Sequence, residues 1–91
     1  MCGIAGYIGK NSIDEKIIKQ TLIQMKNRGP DIQNSKFFNL NNKNIYLLHS
    51  RLSIIDLNQR SDQPFTYNDC TVIFNGEIYN YLELKKKLKE I

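Results

Sequence analysis

The sequence predicts a single α+β domain of four or five strands and two helices, with the strands concentrated in the middle of its 91 residues. Two β-rich runs, "KFFNL" and "NIYLLHSRLSII", flank the turn-rich "NNKN", which is the pattern of an antiparallel hairpin. On either side of that block, "SIDEKIIKQTLIQMKNRGP" and "NYLELKKKLKEI" repeat apolar residues at helical spacing. A chain this short buries only about 60 to 65% of the surface its unfolded form exposes, so the expected core is thin.

From the N-terminus, Cys2 to Ile8 alternate small and branched side chains, as in a buried strand whose backbone is closely approached. The first helix is expected to start at Ser12 as cap, with Glu15 completing a capping box and Ile18, Leu22 and Met25 forming one apolar stripe. Gly29 and Pro30 supply its stop. In the second strand of the hairpin both faces are apolar from Ile45 to Leu48, which predicts a strand sandwiched between other layers. Asp56 to Asp69 reads as loop, and "CTVIF" as a further strand ending at Asn75-Gly76. The last helix repeats the capping logic, with Asn80 as cap, Glu83 three positions on and Tyr79 stapling onto Leu84. Its stripe of Tyr81, Leu84, Leu88 and Ile91 runs to the last residue and requires a partner.

Composition narrows the class. Hydrophobic content of 41% and charged content of 24% fit a globular protein and exclude disordered or collagen-like chains. The net charge of +4 sits mainly in "ELKKKLKEI", interleaved with leucines, so a solvated helix face accounts for it and no nucleic-acid partner is expected. Cys2 and Cys70 lie far apart with no CxxC pattern, which indicates neither a disulfide framework nor a zinc site and fits reduced thiols in a cytoplasmic protein. No stretch approaches the roughly 18 apolar residues of a membrane span, and no basic region precedes the short apolar start.

Four segments can carry chemistry. Cys2 follows the initiator methionine; once Met1 is trimmed, the thiol gains its own α-amino group as a base, and such a group ordinarily titrates near 7.7 to 8.0. A structural cysteine is the alternative. Asn75 and Gly76 in "NGEIYN" offer a side-chain amide beside a glycine N–H, the parts of an oxyanion hole, although Asn-Gly is also a common turn. Arg51 stands in an otherwise apolar strand and requires a carboxylate, either from a substrate or from a structural Asp or Glu. His49, on the same face, reads as a satisfied structural histidine, and "RGPD" (Arg28 to Asp31) as a helix stop and rigid turn.

Taken in order and spacing, "MCGIAGYIG", "RGPD", "HSRLSIIDL", Gln63-Pro64 and "NGEIYN" resemble the N-terminal glutaminase domain of glutamine-hydrolysing asparagine synthetases, which are class II amidotransferases. "RLSIIDL" and "NGEIYN" point to that branch rather than to sugar or purine amidotransferases. The resemblance implies an N-terminal-nucleophile (Ntn) hydrolase fold, an αββα sandwich, of which residues 1–91 are the N-terminal portion. It implies that Cys2 attacks the side-chain amide of L-glutamine to give a thioester and that Asn75 and Gly76 hold the oxyanion. Arg51 would bind the α-carboxylate, while Leu52, Ser53, Ile54, Ile55 and Glu77 line the substrate pocket.

No cofactor is implied for this chain. In relatives, ammonia passes to a C-terminal synthetase domain, absent here, where ATP and magnesium serve the amidation of aspartate; a homodimer is also compatible with the family. Asn27 stands where such proteins usually have histidine, and Ile91 precedes the acidic residue that usually grips the substrate amine, so the chain reads as a fragment. Two other readings stay open: an amidating head for another acceptor in an antibiotic or cell-surface sugar pathway, and a truncated, non-catalytic binding or assembly module.

Overall fold

The computed structural model of the chain describes residues 2–52 and 62–91. Seven elements follow one another: β1 (Gly3–Gly9), α1 (Glu15–Met25), β2 (Ile32–Leu40), β3 (Lys43–Arg51), β4 (Phe65–Tyr67), β5 (Cys70–Val72) and α2 (Tyr81–Lys89). Strands β1, β3 and β2 form one antiparallel sheet with β3 in the centre, and β4 pairs with β5 in a second, two-stranded sheet. The α+β class and the count of strands and helices expected from the sequence hold among the described residues.

The register of the larger sheet determines where the N-terminus goes. Because β1 runs antiparallel to β3, Gly3 faces Ser50 and Gly9 faces Asn44, so Cys2 lies beside the C-terminal end of β3. Strand β2 pairs along the other edge, from Ile32 opposite Arg51 to Leu40 opposite Lys43. The hairpin closes through Asn41 and Asn42 at φ 53° and 62°, two consecutive left-handed residues that match the strand twist and that asparagine tolerates. Across the three strands Tyr7, Tyr46 and Phe37 stand in one row, with ring centroids 6.2 and 4.9 Å apart in tilted geometry. The Tyr46 hydroxyl accepts a hydrogen bond from the Ile13 N–H at 3.0 Å and so anchors the approach to α1.

Helix α1 begins later than Ser12. Asp14 is its cap, and the Asp14 carboxylate accepts the Lys16 N–H at 2.9 Å. A carboxylate at this end also faces the positive pole of the helix dipole, an advantage a hydroxyl lacks. Ser12 is left outside, 3.5 Å from the Tyr46 hydroxyl. The expected stripe holds: Ile18, Leu22 and Met25 are half-buried while Ile17 and Ile23 are exposed, and the helix packs across β2 and β3. It ends at Met25, ahead of Gly29-Pro30.

Leu48 is the buried hydrophobe among the described residues, and His49, Ser50 and Arg51 follow it into the interior. Ile45, Tyr46 and Leu47 are half-buried. The expected sandwiching of Ile45 to Leu48 is thus reached only at Leu48, because α1 is the one described element packed broadly on the sheet.

Three further expectations change. Phe65–Tyr67, inside the stretch read as loop, is strand β4. Its β-prone side chains pair with Cys70–Val72 across the tight Asn68-Asp69 turn, where Asn68 has φ 52°. Asn80 does precede α2, but at φ −99° and ψ 31° its side chain makes no capping bond, since it lacks the extended backbone that aims a cap side chain at the first turn. Tyr79 is 93% exposed, so the staple onto Leu84 is not formed. The stripe Tyr81, Leu84, Leu88 and Ile91 is exposed, as the sequence suggested for a face in want of a partner.

Candidate active site

The antiparallel pairing of β1 with β3 joins two segments that are fifty residues apart in sequence. The Leu52 N–H points at Cys2 Sγ at 3.4 Å, and the thiol reaches the Leu52 carbonyl at 3.9 Å. Cys2 is half-buried. Its carbonyl accepts a bond from Arg28 Nε at 3.4 Å, so the loop after α1 grips the residue that carries the thiol.

That loop sits close because Gly29 has no side chain. A Cβ there would lie 2.3 Å from the Ser50 carbonyl oxygen and 2.7 Å from the Arg51 nitrogen, both backbone atoms. The fully buried Ser50 hydroxyl donates to the Met25 carbonyl at 3.0 Å and approaches the Gly29 carbonyl, which also receives Gln33 Nε2 at 2.6 Å. Asp31 N–H donates to the Arg51 carbonyl at 3.0 Å. "RGPD", read from sequence as a plain turn, therefore ties the end of α1 to both Cys2 and Arg51. Two charged residues on either side of Gly29-Pro30, with no periodicity, gave no sign of this.

Arg51, buried at the end of β3, forms an ion pair through Nη1 with Asp62, whose side chain is largely buried. The question left open by the sequence thus has one answer already: a structural carboxylate meets this guanidinium. Leu52 lies against the thiol. Ser53, Ile54 and Ile55 lie outside the described residues.

Asn75 is half-buried, Gly76 and Glu77 are exposed, and no hydrogen bond among the described residues joins them to Cys2. Their connection to the sheet runs through the preceding residue. Phe74 N–H donates to Gln63 Oε1 at 2.6 Å, and the Phe74 carbonyl lies 3.3 Å from His49 Nε2. A carbonyl only accepts, so this bond requires the proton on Nε2. His49 is 1% exposed; burial pushes its pKa below the ordinary 6.5, with Arg51 adding to the effect while the Phe74 carbonyl and Asp62 oppose it. The imidazole is a neutral, satisfied structural group, as the sequence suggested. Asp62 and Gln63 carried no sequence signal beyond the Gln63-Pro64 pair, because long-range polar partners leave no periodic trace.

Among the described residues no three His, Cys, Asp or Glu side chains gather in a metal-binding cluster, and no described helix is long and apolar enough to cross a membrane.

Comparison with known proteins meets this geometry. The glutamine amidotransferase domain family matches residues 1–91. Proteins named as glutamine-hydrolysing asparagine synthetases from Methanocaldococcus jannaschii and Bacillus subtilis are 42% and 38% identical, over 96% and 98% of this chain. One from Acanthamoeba polyphaga mimivirus is 40% identical over 96%. The chain spans only 20%, 14% and 16% of the length of these three relatives. No solved structure matches. From the thiol at the end of its central sheet and the match along its whole length, the chain belongs to the glutamine amidotransferase domain family.

Proposed function

We propose that this chain is the N-terminal portion of an αββα Ntn-hydrolase domain that releases ammonia from L-glutamine, the glutaminase half-reaction of an asparagine synthetase. The observation that carries the reading is Cys2, its thiol against the Leu52 peptide one residue past Arg51. With Met1 removed, Cys2 Sγ attacks the side-chain amide carbon, a sulfur–carbon bond forms, and the thiol proton passes to the Cys2 α-amine. The negative charge that develops on the amide oxygen is held by the Asn75 side chain and the Gly76 N–H, a pair whose members are commonly worth about 10²-fold or more in rate. Collapse breaks the carbon–nitrogen bond, the amine returns the proton and ammonia leaves. Water then cleaves the thioester, freeing glutamate and restoring the thiol.

Arg51 fits the role of holding the substrate α-carboxylate, with Asp62 fixing the guanidinium, and Leu52 through Ile55 with Glu77 complete the pocket. In the proteins named as asparagine synthetases the ammonia would be used by a synthetase domain; ATP and magnesium belong to that domain, and aspartate is the proposed acceptor.

A glutamine-directed electrophile such as a diazo-ketone analogue is expected to modify Cys2 of the natively expressed protein. Modification of Cys70 instead, or none at all in a chain shown by mass spectrometry to lack Met1, refutes the mechanism. The exposed stripe of α2 favours a second reading, a non-catalytic assembly module. A retained Met1 is its signature, because the acylated nitrogen is no base.

A further inference from the structure

Residues 75 and 76 can stabilise an oxyanion only if something holds them, and the sheets do not. Strand β5 ends at Val72, Gly76 is exposed, and α2 starts only at Tyr81 with an exposed approach. What the described residues do provide is Phe74, bonded by side chains on both of its backbone polar groups: its N–H to Gln63 Oε1 and its carbonyl to His49 Nε2. Because each peptide unit is planar, fixing the N–H orients the unit before Phe74 and fixing the carbonyl orients the unit shared with Asn75. The Asn75 Cα then has little freedom left.

Both tethers lead back to β3. His49 is on that strand, opposite Ile4 and two residues from the end where Cys2 lies. Gln63 adjoins Asp62, which is paired with Arg51 of the same strand. One strand thus references both the nucleophile and the amide segment that is to meet its product.

We propose that His49 and Gln63 are positioning residues that clamp Phe74 and thereby set Asn75 and Gly76 at the distance from Cys2 that the tetrahedral adduct requires. This rests on the glutaminase reading above. The clamp acts on the adduct and not on glutamine in its ground state, so its loss lowers kcat and leaves KM nearly unchanged.

The test uses the natively expressed protein. His49→Leu removes the donor at similar volume, and His49→Gln returns an amide N–H to the position of Nε2. His49→Leu is expected to lower kcat for glutamine hydrolysis by about tenfold or more, since small misplacements of preorganised groups have effects of this size. KM stays within about threefold. Inhibition by glutamate γ-semialdehyde, whose thiohemiacetal carries the same oxyanion, weakens in parallel with kcat. Alkylation of Cys2 by iodoacetamide proceeds at the wild-type rate, and His49→Gln restores most of kcat.

Gln63→Met, with Gln63→Glu as the acceptor-retaining control, gives the same pattern and carries the test should His49→Leu fail to fold. Unchanged kcat in His49→Leu and Gln63→Met, or kcat and Cys2 alkylation falling together, overturns the clamp while leaving the glutaminase reading intact. A Met1-free wild-type protein that hydrolyses no glutamine overturns both.

Discussion

Helix α1 on the sheet β1-β3-β2 and helix α2 after the β4-β5 hairpin both carry an amphipathic stripe in the sequence, and the two regions reach different ends. In the first, the main signals find partners: the α1 stripe meets the sheet, β3 is paired on both edges, and Leu48 through Arg51 are buried. In the second, the hairpin has three residues per strand and α2 exposes its whole stripe around an apolar groove of about 470 Å³ lined by Ile78, Tyr81, Leu84, Leu88 and the stems of Lys85 and Lys89. Amphipathic spacing makes a face; only a second layer makes a core. The candidate site straddles the boundary, with Cys2 and Arg51 on the packed side and Asn75 and Gly76 on the open one.

The packed side breaks most sharply at Gly29. In Gly29→Ala the new methyl group meets the backbone of Ser50 and Arg51, and backbone within a central strand cannot step aside as a side-chain end can. The expected loss is about 3 kcal/mol or more, read as a shift of the urea midpoint. A loss below about 1 kcal/mol would mean that the loop bearing Arg28 and Asp31 is not seated on β3.

Much of the packed side was legible because its order is local or periodic. The Asn41-Asn42 turn, the stripe of Ile18, Leu22 and Met25, and the terminal position of Cys2 all have signatures a few residues wide. The start of α1 was misread since Ser12 and Asp14 are both good caps, and the choice fell to Tyr46, thirty-three residues away from the Ile13 N–H it binds. Strand β4 was hidden by its brevity. On the site, Leu52 lies against the Cys2 thiol one residue past Arg51, whereas the pairings of Asp62 with Arg51 and of Gln63 with the Phe74 N–H are contacts between polar groups that composition and spacing do not encode.

A smaller effect probes the seam between the two sides. The native His49 pKa is lowered by burial, so as pH falls the unfolded chain takes up the proton before the folded one does. The stability that follows from keeping His49 neutral is complete above about pH 6.5, the ordinary unfolded value. It is lost as pH falls from there through the lower native value. Among the described residues, Arg51 and Asp62 are the charged groups that act on the imidazole. Unfolding midpoints between pH 7.5 and 5 stay above the range where carboxylates protonate. The decline expected in wild-type protein should disappear in His49→Gln; a decline of the same size in that variant would remove His49 as its source and loosen the link between β3 and Phe74.

The smallest expected effect is on the open side. Leu88 is 70% exposed on α2, and a leucine that leaves little water behind on folding has little to lose when it becomes polar. Leu88→Ser should change stability by about 0.5 kcal/mol or less, part of it helix propensity alone. Leu48, 3% exposed at the centre of the sheet, sets the contrasting scale, since truncating a buried leucine to alanine costs about 2 to 5 kcal/mol. If Leu88→Ser in the natively expressed protein instead costs about 2 kcal/mol, the α2 face is covered there. The contrast between the two regions would then describe this stretch of chain alone, and the amide segment would be held from the α2 side as well as by β3.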